Sequence, residues 1–512
     1  FWLKSFRWFL ELGSHPFTSI CCYLEHLNKM AVEKNIKDIE GKSGLQEKKA
    51  GFMSVLVGNP AASIFLIFFG IHSGMNVVPY YLVIAGDLAA QVWGKSMTFY
   101  LVIFDAIRLC LGVMFAGPFG SLGDKCGNYL VVCIMLVLEV SPIISTLMLG
   151  RNEAGLISFC VLRALAGITG ASLTSAPCMY AYSHELVSSR EHYRLYTALI
   201  YGVTCSMTMA FFIVARRIDV AIGPDGMLWL GVALCGVQVL MLIGMRLPCM
   251  RPAPRRSEED GNPVAADSEE QVVSETSYSS DGSLQEQPAQ KRSVISWLRL
   301  VRDHPSLLRV CIISMMVCMA ETVLHDTMGQ YAFSVLDILT GKENGPKRRK
   351  IAFIASVTTW CAISASSMLM GWFQKLSSPI FLLKLVIIFV AIFQTLPVIL
   401  MFSPTTLVLV VCCISVGSAF MALPILQALV PEVAPPGQTS EAIAAMAAFK
   451  NAAYLCTTIV LTIALPALNQ SSLEHPLWVL FPVCGALALA AVPLAMNLKP
   501  YAPKATTSTS MK

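Results

Sequence analysis

Long apolar runs, separated by short polar stretches, make up most of this chain. A helix needs about 20 apolar residues to cross the hydrocarbon core of a bilayer, and twelve of these runs approach or exceed that length. The first six cover residues 60–84, 98–119, 129–149, 155–181, 195–215 and 226–246. The last six cover residues 307–336, 351–373, 380–402, 405–429, 441–465 and 477–497. The pattern therefore predicts an all-α membrane protein with twelve transmembrane helices.

A polar stretch between the sixth and seventh runs divides the predicted helices into two sets of six. Equal sets are typical of two structural repeats, each folding as a bundle. The stretch is rich in Ser, Glu and Asp, which predicts a disordered cytoplasmic linker that ends in a short surface helix at Ser293–Asp303. Aromatic and basic residues at the start of the chain favour an interfacial helix. The predicted domains are a cytoplasmic tail (1–59), a first bundle (60–246), the linker with its helix (247–306), a second bundle (307–497) and a second cytoplasmic tail (498–512).

Composition agrees with a membrane protein and excludes other classes. Of the 512 residues, 55% are hydrophobic and 13% are charged, and the mean hydropathy is +0.64, whereas a soluble domain is about 25% charged. The net charge of +5 is not gathered into a basic stripe with interleaved aromatics, so no nucleic-acid partner is expected. Most of the 17 cysteines lie inside apolar runs, where they act as small hydrophobic residues. Their spacing indicates neither a disulfide framework nor a metal site.

The distribution of Lys and Arg predicts that both termini face the cytoplasm. Basic residues concentrate in the tails, the linker and the loops that this orientation places inside, as the positive-inside rule requires. A basic run at Lys347–Lys350 falls on the predicted outer side and departs from the rule. The plasma membrane and an internal membrane fit this pattern equally well.

A glycine-rich turn with one acid and one base separates the second and third runs. Glycines allow a sharp turn and close helix approach, and a carboxylate at a membrane surface can pair with a base or cap a helix N-terminus. The turn has the form G-x-x-x-D-K-x-G, and its defining residues are Gly120, Asp124, Lys125 and Gly127. This stretch, with its flanking spans, resembles the loop between helices 2 and 3 of the major facilitator superfamily of transporters. The family usually continues with two basic residues, but Asn and Tyr stand there, which implies a weaker charge contact.

Shorter matches extend this resemblance. Arg163 and Gly167 in the fourth run resemble the R-x-x-x-G pattern of the superfamily, whose Arg commonly takes part in substrate binding or proton coupling. Within the superfamily, the sequence is most similar to the tetracycline-resistance-like group and its eukaryotic solute-carrier relatives. The residues that carry this likeness are Ala181–Glu185 leading to Arg194, Gly329–Tyr331 and Ala428–Val430. Pro431–Glu432, followed by Gly437, resembles a stretch found in many members of the superfamily as a whole. The fifth run lacks the proline of the drug-antiporter motif, which argues against drug/proton exchange.

Ionisable residues inside membrane spans are costly and are candidates for function. Glu321 and His325 in the seventh run are four residues apart and share a helix face; Asp326 and Gln330 continue along the next face. A Glu–His pair in a bundle can take up and release protons. The same pair also fits a satisfied buried contact, or a hydrated position near the outer mouth.

Other candidates lie in the first, fourth, tenth and eleventh runs, of which the first, fourth and tenth correspond to spans that surround the substrate in superfamily members. His72 and Asn76 in the first run are also four apart, and they suit either a cavity lining or a helix–helix hydrogen bond. Lys450 suits either an anionic substrate or an inward-snorkelling side chain, and Gln427 is a weaker cavity candidate.

The alternative for Arg163 is a structural ion pair, with Asp124 as a partner. Two further expectations concern Arg108, which is expected to pair with Asp105, and Glu139, which is expected to have a buried partner that the sequence does not name.

The resemblance implies a fold of two six-helix bundles around a central cavity, and a function in secondary active or facilitative transport of a small solute by alternating access. Protons are a candidate coupling ion, and symport is one expected mode. The expected partners are the small-molecule substrate and the lipid bilayer, and the protein is expected to be a monomer. No cofactor, metal or enzymatic activity is expected, because no catalytic triad, metal-ligand set or phosphate-binding glycine loop is present. The alternative is a transporter-like sensor or trafficking protein that binds a ligand without net flux.

Overall fold

The computed structural model describes residues 59–85, 97–150, 153–169, 177–187, 190–222, 224–246, 296–336, 345–469 and 475–500. Within these ranges every regular element is a helix, which confirms the predicted all-α class. The N-terminal tail, with its predicted interfacial helix, lies outside the described residues, as do most of the linker and the last twelve residues.

The described residues of the first half form seven α-helices. They are α1 (Pro60–Ala85), α2 (Met97–Cys126), α3 (Asn128–Leu149), α4 (Glu153–Ala166), α5 (Pro177–Leu186), α6 (Arg190–Ile222) and α7 (Pro224–Met245). A single 3₁₀ turn, Gly167–Thr169, follows α4. The predicted fourth span, 155–181, is therefore described only in part, by α4 with its 3₁₀ turn and by the first half of α5, because residues 170–176 lie outside the described ranges.

A short helix α8 (Ser296–Asp303) precedes the second half, three residues shorter than the predicted surface helix. The remaining helices are α9 (Pro305–Val335), α10 (Gly345–Phe373), α11 (Pro379–Thr395), α12 (Ile399–Phe402), α13 (Thr406–Ala419), α14 (Ala422–Val433), α15 (Thr439–Asn469), α16 (Leu480–Ala490) and α17 (Val492–Met496). The predicted tenth span breaks near Phe420 into α13 and α14. Helix α8 is amphipathic, and its Trp297 packs against Phe449 of α15.

Length and composition allow nine helical stretches among the described residues to cross a membrane. Predicted spans one and four appear there as shorter apolar helices, Pro60–Met75 and Ala154–Thr169, and predicted span five is the 33-residue helix α6. Large apolar side chains such as Met148, Phe402 and Leu407 are exposed on the outside of the bundle. Side chains that face lipid tails are not hydrated, so this exposed apolar surface is favourable in a bilayer and would be costly in water.

The two halves of the chain meet along two helix pairs, α2 with α15 and α6 with α10. Both contacts need small side chains. A Cβ atom added to Gly120 would lie 2.8 Å from the Cβ of Ala444, and one added to Gly202 would lie 2.6 Å from the Cγ of Met368. Glycine at these positions therefore lets the backbone of a helix in one half come into direct contact with a helix of the other half.

The predicted turn between the second and third spans is wrong in its extent. Helix α2 continues through Cys126, so that Gly120, Asp124 and Lys125 belong to its last two turns. Only Gly127 breaks the helix, with a φ of 85°, a left-handed conformation that glycine adopts without strain. The helical conformation projects Asp124 from α2 toward α15 rather than into a loop.

Candidate functional site

One end of the molecule is closed by polar contacts between the halves, and we call it the gate end. Asp124 of α2 lies there, against the first turn of α15. Its Oδ1 accepts the backbone N–H of Ser440 and its Oδ2 accepts that of Glu441, both at 3.1 Å. The first N–H groups of a helix have no partner within the helix, and a carboxylate there also complements the helix dipole. Asp124 therefore caps a helix of the opposite half. Lys125 is exposed to solvent beside it.

Asn128 strengthens this contact. Its Nδ2 donates to Glu185 Oε1 at 2.6 Å and to Ser440 Oγ at 2.8 Å, and the side chain is buried. It therefore joins α3, α5 and α15. The sequence pattern had marked this position only as a departure from the family motif, because a basic residue was expected there.

A second contact at the gate end joins α6 to α14. The Nε and Nη2 atoms of Arg194 both lie 2.7 Å from Glu432 Oε1. The two side chains are 22% and 11% exposed, so water screens the pair only in part. Both residues belong to segments that carried the family resemblance, but nothing in the sequence indicated that they pair.

A buried cluster of polar side chains lies deeper, where the two halves face each other. Lys450 of α15 is 1% exposed. Its Nζ donates to the Oη of Tyr201 on α6 at 3.2 Å and to the Oε1 of Gln427 on α14 at 3.4 Å. Tyr201 stacks on Tyr180 of α5, with ring centroids 5.7 Å apart. We call Lys450, Gln427 and Tyr201 the central cluster; it connects the first half of the chain to the second.

Glu321 of α9 is close enough to this cluster for its charge to act on that of Lys450. The residue is 2% exposed, and neither carboxylate oxygen has a hydrogen-bond partner among the described residues. The Nε2 of Gln427 also makes no hydrogen bond of full geometry, and it faces the buried hydroxyl of Tyr193 on α6. Buried polar atoms without partners are unusual and call for an explanation. Here the acceptor is the carboxylate of Glu321 and the donor is the side-chain amide of Gln427, and both lie near the buried ammonium of Lys450.

A buried ion pair lies within the first half. Arg108 Nη2 contacts Glu139 Oε1 at 3.0 Å, which supplies the partner that the sequence did not name for Glu139. The side chain of Asp105, the expected partner of Arg108, is outside the described residues. His72 lies near this pair, within reach of both charges, and its ring stacks on Phe68 with centroids 6.4 Å apart. Cavity lining and a helix–helix hydrogen bond both remain predictions for His72.

Arg163 is half-buried on α4. One turn further along the chain, Gly167 packs against the backbone of Arg108. Asp124 lies sixteen residues beyond Arg108, about 24 Å along α2. Arg163 is therefore near the level of Arg108, and the alternative of an Arg163–Asp124 pair is disfavoured.

The remaining predicted site residues are placed only in part. Asn76 lies on α1, and His325 and Asp326 lie on α9, but their side chains are outside the described residues, so the Glu321–His325 pair stays a prediction. Gln330 is exposed near the end of α9. Of the candidates, Gln427 and Lys450 come together, with Glu321 nearby. Tyr201 was not predicted, because a tyrosine in an apolar run gives no signal of its own.

Comparison with known families and structures gives one consistent result. The profile of the family described as Major Facilitator Superfamily matches residues 64–458. The E. coli fucose:proton symporter is similar with a TM-score of 0.58 and 12% identity, over 85% of this chain and 98% of that one. A bacterial homologue of the iron transporter ferroportin in an outward-facing state gives 0.61 and 12%, over 86% and 99%. The human organic anion transporter MFSD10 gives 0.51 and 13%, over 87% and 97%. No curated protein matches the sequence.

Proposed function

The chain belongs to the Major Facilitator Superfamily, and from this premise we propose that it carries a small solute across the membrane by alternating access at the central cluster. The observation that carries the proposal is the position of Lys450, which bonds Gln427 in its own half and Tyr201 in the other. A solute bound there contacts both halves. Rocking of one half against the other then exposes the solute to each side in turn.

The gate end is closed in this structure, and we infer that it faces the cytoplasm, in agreement with the distribution of Lys and Arg. Opening it requires three sets of contacts between the halves to break, one of which is the hydrogen bond from Asn128 to Ser440. The capping bonds from Asp124 to Ser440 and Glu441 must break, and so must the Arg194–Glu432 pair. These contacts are polar and near the surface, so water replaces them at low cost. That suits a gate which closes and opens in every cycle.

Proton coupling through Glu321 is the second part of the proposal. A carboxylate can accept a proton, and the charge of Glu321 acts on Lys450. Protonation therefore changes the field at the central cluster. Among the described side chains, Lys450 is the charged group that acts on Glu321, and the Cys318 thiol on α9 is also within range. Proton coupling through Glu321 therefore requires no coupling ion other than the proton.

The transport proposal is tested in proteoliposomes adsorbed on a solid-supported membrane. Concentration jumps of amino acids, sugars, nucleosides and organic anions would identify a solute that produces a transport current. Accumulation of that solute distinguishes a carrier from a ligand-binding sensor, whose signal saturates without uptake. Saturable binding with neither current nor uptake would support the sensor instead.

The coupling proposal is tested with the solute found in this way. The Glu321→Gln variant is expected to lose uptake driven by an inward proton gradient but to keep exchange of the solute between equal concentrations. Glu191→Gln, an exposed glutamate at the start of α6, is the matched control and should retain both. If Glu321→Gln also retained both, Glu321 would not be the coupling residue.

A further inference from the structure

The central cluster has the chemistry of a site for an organic carboxylate. We infer that Lys450 and Gln427 together bind the carboxylate group of the substrate, which makes the solute a small organic anion. The inference rests on the transport function proposed above and names its substrate class.

The first observation is the poor pairing of a buried charge. Lys450 carries three N–H donors, and its described acceptors are two neutral oxygens at 3.2 and 3.4 Å, toward the long end of the hydrogen-bond range. No described ion pair includes Lys450. A buried ammonium is costly unless a charge pairs with it closely. A carboxylate from a solute would provide that charge.

The second observation fixes a neighbouring donor. A lysine ammonium can only donate, so the amide atom of Gln427 that faces Lys450 must be its oxygen. The Nε2 of Gln427 consequently points elsewhere, toward the buried hydroxyl of Tyr193 on α6, and its geometry there falls outside the limits of a full hydrogen bond. Two N–H donors, one charged and one neutral, thus stand beside each other. A carboxylate has two oxygens and can accept from both.

The third observation favours an organic ion over an inorganic one. Tyr201 and Tyr180 stack with an interplanar angle of 26°, and the ring of Tyr201 lies 5.9 Å from Lys450 Nζ. Both tyrosines are buried. Aromatic faces next to the donors provide an apolar wall for the body of a solute. Inorganic phosphate or sulfate would leave that wall unused.

Charge balance connects the inferred anion to Glu321. With Lys450 protonated and Glu321 ionised, the empty site holds one positive and one negative group. An added carboxylate leaves one excess negative charge in a buried site, and a proton on Glu321 removes it. The inferred substrate and the proposed proton therefore enter together.

The test is thermal unfolding of the full chain in detergent, measured with pairs of solutes that differ only in charge. The pairs are benzoate with benzamide, nicotinate with nicotinamide, lactate with lactamide and succinate with succinamide, and inorganic phosphate and sulfate are separate arms. At least one carboxylate is expected to raise the unfolding midpoint, while its amide does not. The inference fails if no carboxylate does so, if amides stabilise equally, or if only the inorganic ions act.

Two variants place the effect at the site. Lys450→Met should abolish the shift, whereas Lys384→Met, the same change in a half-buried lysine at the start of α11, should keep it. Gln427→Glu replaces the amide donor with an acceptor beside Lys450, so the fold gains an ion pair while carboxylate affinity falls at least about tenfold. Unchanged affinity in Gln427→Glu overturns the inference even if Lys450→Met does not fold.

Transport currents separate this inference from the function on which it rests. Currents from neutral solutes, with none from carboxylates, would leave the carrier proposal standing and overturn the carboxylate site. Carboxylate stabilisation that depends on Lys450, without any current or uptake, would support the site and overturn the carrier proposal.

Discussion

Arg194 of α6 and Glu432 of α14 form an ion pair of 2.7 Å between the two halves of the chain. The Nε and Nη2 atoms of Arg194 contact the same carboxylate oxygen, Oε1 of Glu432. A pair that joins moving parts stabilises one conformer relative to the other. Its strength therefore contributes to the equilibrium between closed and open gate ends, rather than to the stability of either half.

Removing one partner of this pair should favour opening of the gate end. We expect Arg194→Gln and Glu432→Gln each to lower the unfolding midpoint of the closed conformer, and the double variant to lower it by less than their sum. A double-mutant cycle should return a coupling free energy of about 0.5–3 kcal/mol, the range for residues in contact. Strict additivity would show that the contact contributes nothing.

Asp124 should control the first turn of α15 directly, because it accepts the N–H groups of Ser440 and Glu441. Losing a helix cap costs about 0.5–2 kcal/mol, so Asp124→Ala should speed hydrogen exchange of these two amides by roughly 2- to 30-fold. Asp124→Asn keeps one acceptor oxygen and should fall between. Mass spectrometry of a peptide covering residues 438–446 measures the effect.

The neighbouring lysine is the control for this experiment. Lys125 is exposed, so Lys125→Ala should leave exchange at Ser440 and Glu441 unchanged. Equal acceleration in Lys125→Ala and Asp124→Ala would mean that the end of α2 acts through its general charge and not through the cap.

The sequence predicted the helices well because their signal is local. Each span needs a long apolar run, and hydropathy detects the run without knowledge of its neighbours. The break between α13 and α14 was missed, since apolar composition continues across it. The turn over residues 120–127 was wrong for a related reason: glycines indicate where a turn is permitted, and packing against α15 keeps the helix intact up to Gly127.

The candidate site was predicted residue by residue but not as an arrangement. Glu321, Gln427 and Lys450 were identified because polar groups in membrane spans are costly. Their convergence depends on how α9, α14 and α15 pack, and no single-sequence pattern carries that information. The same holds for Glu139, whose cost was evident but whose partner, Arg108, lies on another helix.

The Arg108–Glu139 pair should be essential to the stability of the first half. Both side chains are about nine-tenths buried, and removing one partner leaves a buried charge uncompensated, which costs about 3–5 kcal/mol. Glu139→Gln should therefore lower the free energy of unfolding by roughly that amount. Replacing both residues, as in Arg108→Met with Glu139→Leu, should recover most of the loss. A double variant no more stable than Glu139→Gln alone would contradict this account.

The pH dependence of carboxylate binding follows from the positions of Lys450 and Glu321. Ionised Glu321 places a negative charge near the ammonium and opposes a second one. Lowering the pH protonates Glu321 and removes that opposition, so the affinity for a carboxylate should rise as the pH falls, by at most about tenfold per pH unit for one proton. Glu321→Gln is neutral at every pH. It should bind with an affinity nearly independent of pH and, at alkaline pH, more tightly than the wild type.

Titration calorimetry with the carboxylate identified by thermal unfolding measures both curves. A wild-type affinity that rose with pH, or a Glu321→Gln curve that kept the wild-type slope, would show that another group sets the proton dependence.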